Sequence, residues 1–366
     1  MIRLQHLLPF AIGLLIFGLI ILVHEWGHFI AARKAGILVE EFAIGMGPKL
    51  WGRQSGETLY TLRALPLGGY CKMMGADEEN ADERAFGSKP LWKRICVIVA
   101  GSVMNFALAL IIFTVVALVS GFATTSVGSL TPEGPAETAG LQPGDRIVSI
   151  NGARVNLHDD LVFGITSMPE SERVAVVGFV RDGQTHTAYI ETGEYNGRRI
   201  IGTTPQVRAG IFAELQPSQE RAGILSSTVR GFYEMVFLVR HTISALGMLI
   251  TGNASMDMVI GPVGIVGVIG QSFQATIETQ QPIMQTIAWI VISNARFAAI
   301  LSASIGIFNL VPFPALDGGR LVFLILEGIR RRPVKPEVEG TVHLVGMALM
   351  MALAIYIAYR DVLGLI

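Results

Sequence analysis

The sequence predicts a polytopic α-helical membrane protein interrupted by one small β-rich domain outside the membrane. Three observations lead there. Of 366 residues, 51% are hydrophobic and only 16% charged, whereas soluble domains are nearer a quarter charged. Four segments, roughly 7–32, 95–119, 287–310 and 342–359, are long and apolar enough to span a bilayer core of about 30 Å. Residues 122–205 break this pattern: strand-like runs at 173–180 and 185–190 alternate with turn signals at Arg181-Asp182-Gly183 and Glu194-Tyr195-Asn196-Gly197.

The first span begins after Arg3 and continues to Val23 without a charge. No small-x-small cleavage site precedes its end, so the expectation is an uncleaved transmembrane helix rather than a signal peptide. Two segments do not fit a simple span. Residues 226–250 are apolar but carry Arg230, Glu234, Arg240 and His241, which suits a helix lying on the membrane surface. Residues 259–270 are glycine-rich and too short to cross.

Charge sets the orientation. Ten Lys and Arg lie between Arg33 and Arg94, and Arg320, Arg330, Arg331, Arg332 and Lys335 follow the third span. The positive-inside rule places both stretches in the cytoplasm. Both termini and residues 120–285 then lie outside. Arg296, inside the third span, is expected to snorkel toward the outer interface. A formal charge of −1 gives no case for nucleic-acid binding. Cys71 and Cys96 form neither a disulfide framework nor a cysteine zinc pattern.

The first span ends in His24-Glu25-Trp26-Gly27-His28. On a helix, His-Glu-x-x-His presents two imidazoles on one face at i and i+4 with a carboxylate beside them, an arrangement suited to Zn²⁺ and a general base. Paired histidines on an apolar helix could be satisfied core residues, but ionisable groups at membrane depth are costly and mark function. His24 falls about 25 Å along the helix at 1.5 Å per residue, hence near the cytoplasmic face. Such a site suggests hydrolysis of bonds inside or beside the bilayer.

Catalytic zinc needs a third protein ligand and an open position. Between Asp257 and Glu327 the carboxylates are Glu278 and Asp317. Asp317 follows Asn309-Leu310-Val311-Pro312-Phe313-Pro314-Ala315-Leu316, where two prolines end a helix, and precedes two glycines that permit close backbone approach. It could be a plain helix N-cap; beside the histidine motif the ligand reading prevails. If Asp317 shares the metal, the third span must run inward. Residues 226–250 then cannot make a single crossing.

Glu25 is expected to act as general base and then acid, taking a proton from the attacking water and passing it to the leaving amide nitrogen. Asn309 could hydrogen-bond the substrate backbone or developing oxyanion, or satisfy carbonyls freed at the helix break. Asn105, in the second span, has the same two readings, with packing favoured. Short strands are expected at 41–45, 58–62 and 69–74. Strands beside a membrane site can dip into it if protein or a water cavity satisfies their backbone; an ordinary amphipathic hairpin fits equally well.

Within the β-rich region, Ala139-Gly140-Leu141-Gln142-Pro143-Gly144-Asp145-Arg146-Ile147 followed by Ile150-Asn151-Gly152 resembles a PDZ domain. Domains of that kind bind peptide ends by strand addition. Together with the histidine motif, Gly45-Met46-Gly47-Pro48, the Gly101–Phe106 segment and Asn309…Asp317-Gly318, the chain resembles the site-2 protease family of intramembrane zinc metalloproteases. Within that family it resembles the bacterial PDZ-bearing branch, the regulator of sigma-E protease type. The resemblance implies four transmembrane helices, a membrane-associated β-hairpin element and one extracytoplasmic PDZ domain, in a bacterial inner membrane. It divides the chain into 1–121 (membrane core with the zinc motif and the β element at 37–75), 122–205 (PDZ), 206–285 (linker and surface helix) and 286–366 (membrane core with the third ligand).

The resemblance also implies Zn²⁺ as cofactor and regulated intramembrane proteolysis. The substrates would be single-pass proteins such as anti-sigma factors, first trimmed outside by a site-1-type protease, or signal-peptide remnants. Residues 37–75 would clamp unwound substrate, with Gly69, Tyr70 and Asn309 positioning it, and the PDZ domain would exclude bulky outer domains. Two departures stand out. One PDZ signature is visible where the sigma-E protease has two, and Ser102 replaces a common proline. A non-proteolytic PDZ scaffold with a vestigial metal site is the alternative, against which the intact Glu25 and ligand set argue. A metal transporter would show inverted repeats and polar groups at the midplane.

Overall fold

Small and polar residues recur along one face of the first helix, and they decide what it packs against. In the computed structural model, which describes residues 4–76, 80–215, 219–251 and 282–363, α1 spans Leu4–Ala35. Ile20, His24, Gly27, His28, Ala32 and Ala35 are buried at helical spacing, while Leu15, Leu19 and Trp26 on other faces are exposed. The buried stripe faces α2 (Leu91–Ser120), whose own stripe is Val97, Ile98, Gly101, Ser102, Asn105 and Ala109. A side chain at Gly27 would strike the Ala100 carbonyl at 2.4 Å, so the glycine of the histidine motif sets the approach of the two backbones.

The chain divides into two units, 1–112 with 238–366, and 113–237. In the first unit, α6 (Ile283–Leu310) packs small residues, Ala299, Ser302, Ala303 and Gly306, inward. Ser302 Oγ donates to the Asn105 carbonyl at 2.9 Å, and Gly306 lies against Phe106. A break at Val311–Leu316 leads to α7 (Asp317–Arg330), and α8 (Pro336–Leu363) follows. Arg94 on α2 pairs with Glu327 on α7, Nη1 and Nη2 each donating to one carboxylate oxygen.

Among the described residues four helical stretches, 11–35, 91–120, 283–310 and 337–360, are long and apolar enough to cross a membrane. They match the four expected spans, and the last three are somewhat longer than their apolar runs. The helix expected over 226–250 is α5 (Ile224–Ile250). The segment 259–270 lies outside the described residues.

The β element is longer than its apolar fragments suggested. Strands β1 (Val39–Ser55) and β2 (Thr58–Met73) fold back so that Glu41–Ile44 is flanked by 69–72 on one side and 59–62 on the other. Glycine makes the fold-back possible: Gly45 and Gly47 take φ of 85° and 84°, and a Cβ on Gly45 would meet the Leu65 carbonyl at 2.6 Å. Glu41 Oε1 clamps the inside, accepting from Thr61 Oγ1 at 2.6 Å and Arg63 Nη2 at 2.7 Å.

The second unit carries a sheet of order β10-β3-β4-β6-β7, with β5 paired to β4. Its strands are β3 (Gly121–Leu130), β4 (Arg146–Ile150), β5 (Ala153–Arg154), β6 (Val174–Arg181), β7 (Gln184–Glu191) and β10 (Thr203–Ala209). A short pair, β8 (Gly193–Tyr195) and β9 (Arg198–Ile200), and helices α3 (Pro135–Thr138) and α4 (His158–Thr166) complete it. Val127, Ile147, Ile150, Leu161, Val177 and Ile190 are among its buried core. The sheet passes the expected boundary at 205, because β10 pairs with β3 as far as Ala209. Pro205 sits within β10, an edge strand, where proline is tolerated.

Asp145, from the Pro-Gly-Asp turn, is buried and accepts from Gln142 N–H at 2.7 Å and from Arg181 Nε and Nη2 at 2.7 and 2.6 Å. Burial alone would raise its pKa; the Arg181 hydrogen bonds, the Gln142 N–H and the Arg181 charge outweigh burial and hold it below the usual carboxylate value. Fewer protons bind in the folded state, so this stabilisation is fully present above about pH 4 and fades as pH falls through the folded value. Asp145→Asn is expected to destabilise this unit by roughly 2 kcal/mol at pH 7, with the deficit shrinking below pH 4. Limited proteolysis of the full chain across pH reads both; a pH-independent deficit would refute the pairing as its cause.

Candidate metal centre

Helical spacing stacks His24 above His28 on the α1 face turned to α2. Both are buried, each at 6% exposure. The break after α6 returns the chain so that Asp317, the first residue of α7, reaches the same point. Gly318 and Gly319 are required there: a Cβ on either would meet the Val311 or Phe313 carbonyl at 2.1 or 2.5 Å. Across the break, Ala315 takes a left-handed φ of 80°, and its N–H donates to His343 Nδ1 at 2.9 Å.

The donor atoms converge. His24 Nε2 and His28 Nε2 lie 3.0 and 3.1 Å from Asp317 Oδ2, and 3.2 Å from each other. A tetrahedral zinc with bonds of about 2.0 Å sets its ligands about 3.3 Å apart, so this triangle is close to the right size. Room for an ion exists beside it. An alanine Cβ at Gly101 would sit 2.5 Å from His28 Nε2 and 2.7 Å from His24 Nε2, in the space an ion would take. Two imidazole nitrogens and a carboxylate oxygen are also a donor set that zinc accepts. The residues present fit the metal.

The outer contacts come from α2. His28 Nδ1 donates to the Val97 carbonyl at 2.8 Å, which leaves Nε2 free to bind an ion. The Asn105 amide, fully buried, lies 3.2 Å from His24 Nδ1. Glu25, one residue along from His24, turns to the β element, where the Cys71 N–H faces its carboxylate. Gly69 brings the strand close, its absent Cβ falling 3.4 Å from Glu25 Cγ.

Of the residues singled out from sequence, the structure brings His24, His28, Asp317, Glu25 and Gly69 together. Tyr70 is engaged elsewhere, beside Glu41 and with the Arg63 guanidinium 5.1 Å from its ring. Asn309 lies in the last turn of α6, partly exposed, and its side chain makes no hydrogen bond among the described residues. Sequence reasoning missed Gly101, the Val97 carbonyl and the Cys71 N–H. Only Gly101 left a signal, as one of the small residues in the second span.

Residues 12–353 match the model of Peptidase family M50. A chain of Clostridium perfringens is 37% identical over 352 residues, covering 96% of this chain and 97% of that one. Zinc metalloprotease RasP of Geobacillus kaustophilus is 30% identical over 437 aligned positions, covering 95% and 96%. Regulator of sigma-W protease RasP of Bacillus subtilis is 32% identical over 434, covering 95% and 97%.

Proposed function

This chain belongs to peptidase family M50 and is a zinc metalloprotease of a bacterial membrane, and we propose that it hydrolyses peptide bonds within or beside transmembrane segments of single-pass proteins. One observation carries this reading. Three donor atoms, two from a helix of membrane grade and one from Asp317 at the start of α7, lie within 3.0–3.2 Å of one another, with a carboxylate one residue away from His24.

His24, His28 and Asp317 hold the metal. Bound there, zinc supplies a Lewis acid that activates water and polarises a carbonyl. Glu25 accepts the proton of the attacking water and returns it to the leaving amide nitrogen. The Cys71 N–H keeps that carboxylate aimed, and the Val97 carbonyl keeps the His28 ring in place. Asn309, with its amide uncommitted, donates to the substrate carbonyl as it becomes an oxyanion.

A peptide bond in a transmembrane helix must unwind before it can be cut. We assign the β element at 37–75 to that task, with Gly69 and Tyr70 in the strand that borders Glu25 and extended substrate pairing with its backbone. Exposed Ile44, Met46, Leu50, Trp51, Leu62 and Leu65 suit an element that dips into lipid. The 113–237 unit is taken as a single extracytoplasmic PDZ domain that blocks bulky substrates, with both termini outside and the active site near the cytoplasmic face. Anti-sigma factors trimmed by a prior protease are the substrate class, by analogy with the relative named as a regulator of sigma-W protease.

The test is a single-pass reporter, expressed with this protein, whose outer stub is lengthened stepwise. Cleavage is expected with a stub of some tens of residues or fewer, and is expected to stop when a folded domain is fused outside. Cleavage indifferent to a fused outer domain would refute the filter; cleavage only of soluble segments would refute the intramembrane assignment.

A further inference from the structure

We propose that Asn105 is a positioning residue for the metal centre: its side-chain oxygen accepts the Nδ1 proton of His24 and fixes that ring in the tautomer whose Nε2 can bind zinc. The inference rests on the metal-site reading above. It starts from an orphaned atom. Asn105 is fully buried, its amide nitrogen lies 3.2 Å from His24 Nδ1, and its oxygen has no hydrogen-bond partner.

The two ends of a carboxamide are told apart by their surroundings, not by shape. A neutral imidazole has one N–H and one acceptor nitrogen. In the orientation just described, the amide would donate to Nδ1, forcing the ring proton onto Nε2 and aiming it at Asp317 and His28. No ion could then bind Nε2. A half-turn of the amide reverses this: Nδ1–H donates to the oxygen, and the Nε2 lone pair points at the space left by Gly101. One end of the amide is unpartnered either way, and the ring decides which.

His28 receives the same service from the Val97 carbonyl, two helical turns earlier on α2. One helix thus orients both imidazoles, once through backbone and once through a side chain. Ser302 Oγ, which donates to the Asn105 backbone carbonyl at 2.9 Å, ties this stretch of α2 to α6, the helix that leads to Asp317. Outer contacts of this kind set metal affinity as well as ring orientation.

A packing role and a positioning role rank substitutions oppositely. Leucine fills the same volume without an acceptor, whereas aspartate keeps an acceptor but buries a charge. The measurement is zinc affinity of the purified full-length protein in detergent, by competition with a chromophoric chelator, for wild type, Asn105→Leu, Asn105→Asp and His24→Ala. Asn105→Leu is expected to weaken zinc about 10–100-fold, with Asn105→Asp within a few-fold of wild type. Wild-type affinity in Asn105→Leu, or weaker binding in Asn105→Asp than in Asn105→Leu, would overturn the inference. If the leucine variant fails to fold, Asn105→Asp alone decides, because a packing role makes its buried charge cost zinc. His24→Ala is the control: undiminished zinc there would sink the metal-site reading itself.

Discussion

Asp317→Ala is expected to leave the protein folded in the membrane and without zinc. The carboxylate closes the donor triangle, with Oδ2 within 3.0 and 3.1 Å of the two histidine nitrogens. Without it, two imidazoles remain, one short of the three protein ligands a catalytic zinc requires. The loss should exceed the roughly 10–100-fold that outer-shell changes produce, and proteolysis should fall to background. Helix packing should survive, since Gly318 and Gly319 shape the turn and are untouched. Metal analysis of the purified variant checks this, and full stoichiometric zinc would remove Asp317 from the site.

Glu25→Gln separates the base from the metal. Its carboxylate is not one of the three converging donors, and the Cys71 N–H can donate equally to a glutamine oxygen. Zinc content should therefore stay near wild type. The amide cannot take up a proton at neutral pH, so cleavage of a membrane reporter should drop by about 10²–10⁴-fold, the usual worth of a positioned general base. Substantial residual cleavage with zinc in place would transfer the role to another group. Loss of zinc would make Glu25 part of the metal's support instead.

Those two residues show what could be read from the chain alone. His24, Glu25 and His28 are legible because helical geometry fixes the relation of i and i+4 before any tertiary contact forms. Asp317 was legible by elimination, as a carboxylate at a helix break in an otherwise neutral stretch. The four spans announce themselves because a bilayer tolerates little else. Gly101 was harder: its meaning is the space it leaves, and nothing in the sequence says what fills that space. The Val97 carbonyl and the Cys71 N–H are backbone groups, which every residue but proline carries, so no residue type marks them.

Asn105 was seen but leaned toward packing. Its partner is 81 residues away on another helix, and only the packed pair of helices reveals it. The β element lies within the expected 37–75, but its strands read short for a local reason: the sequence ends the first at Gly45, yet the left-handed backbone at Gly45 and Gly47 lets one strand bend and pair on both sides.

The central claim is a zinc ion held by two imidazoles and one carboxylate inside a membrane-grade core. Zinc K-edge X-ray absorption on the wild-type protein in detergent tests it most directly. The expected first shell contains only nitrogen and oxygen, at about 2.0–2.1 Å, with the outer-sphere signature of two imidazole rings. A sulfur scatterer at about 2.3 Å, which would bring in Cys71 beside Glu25, or a shell with one imidazole or none, would contradict it.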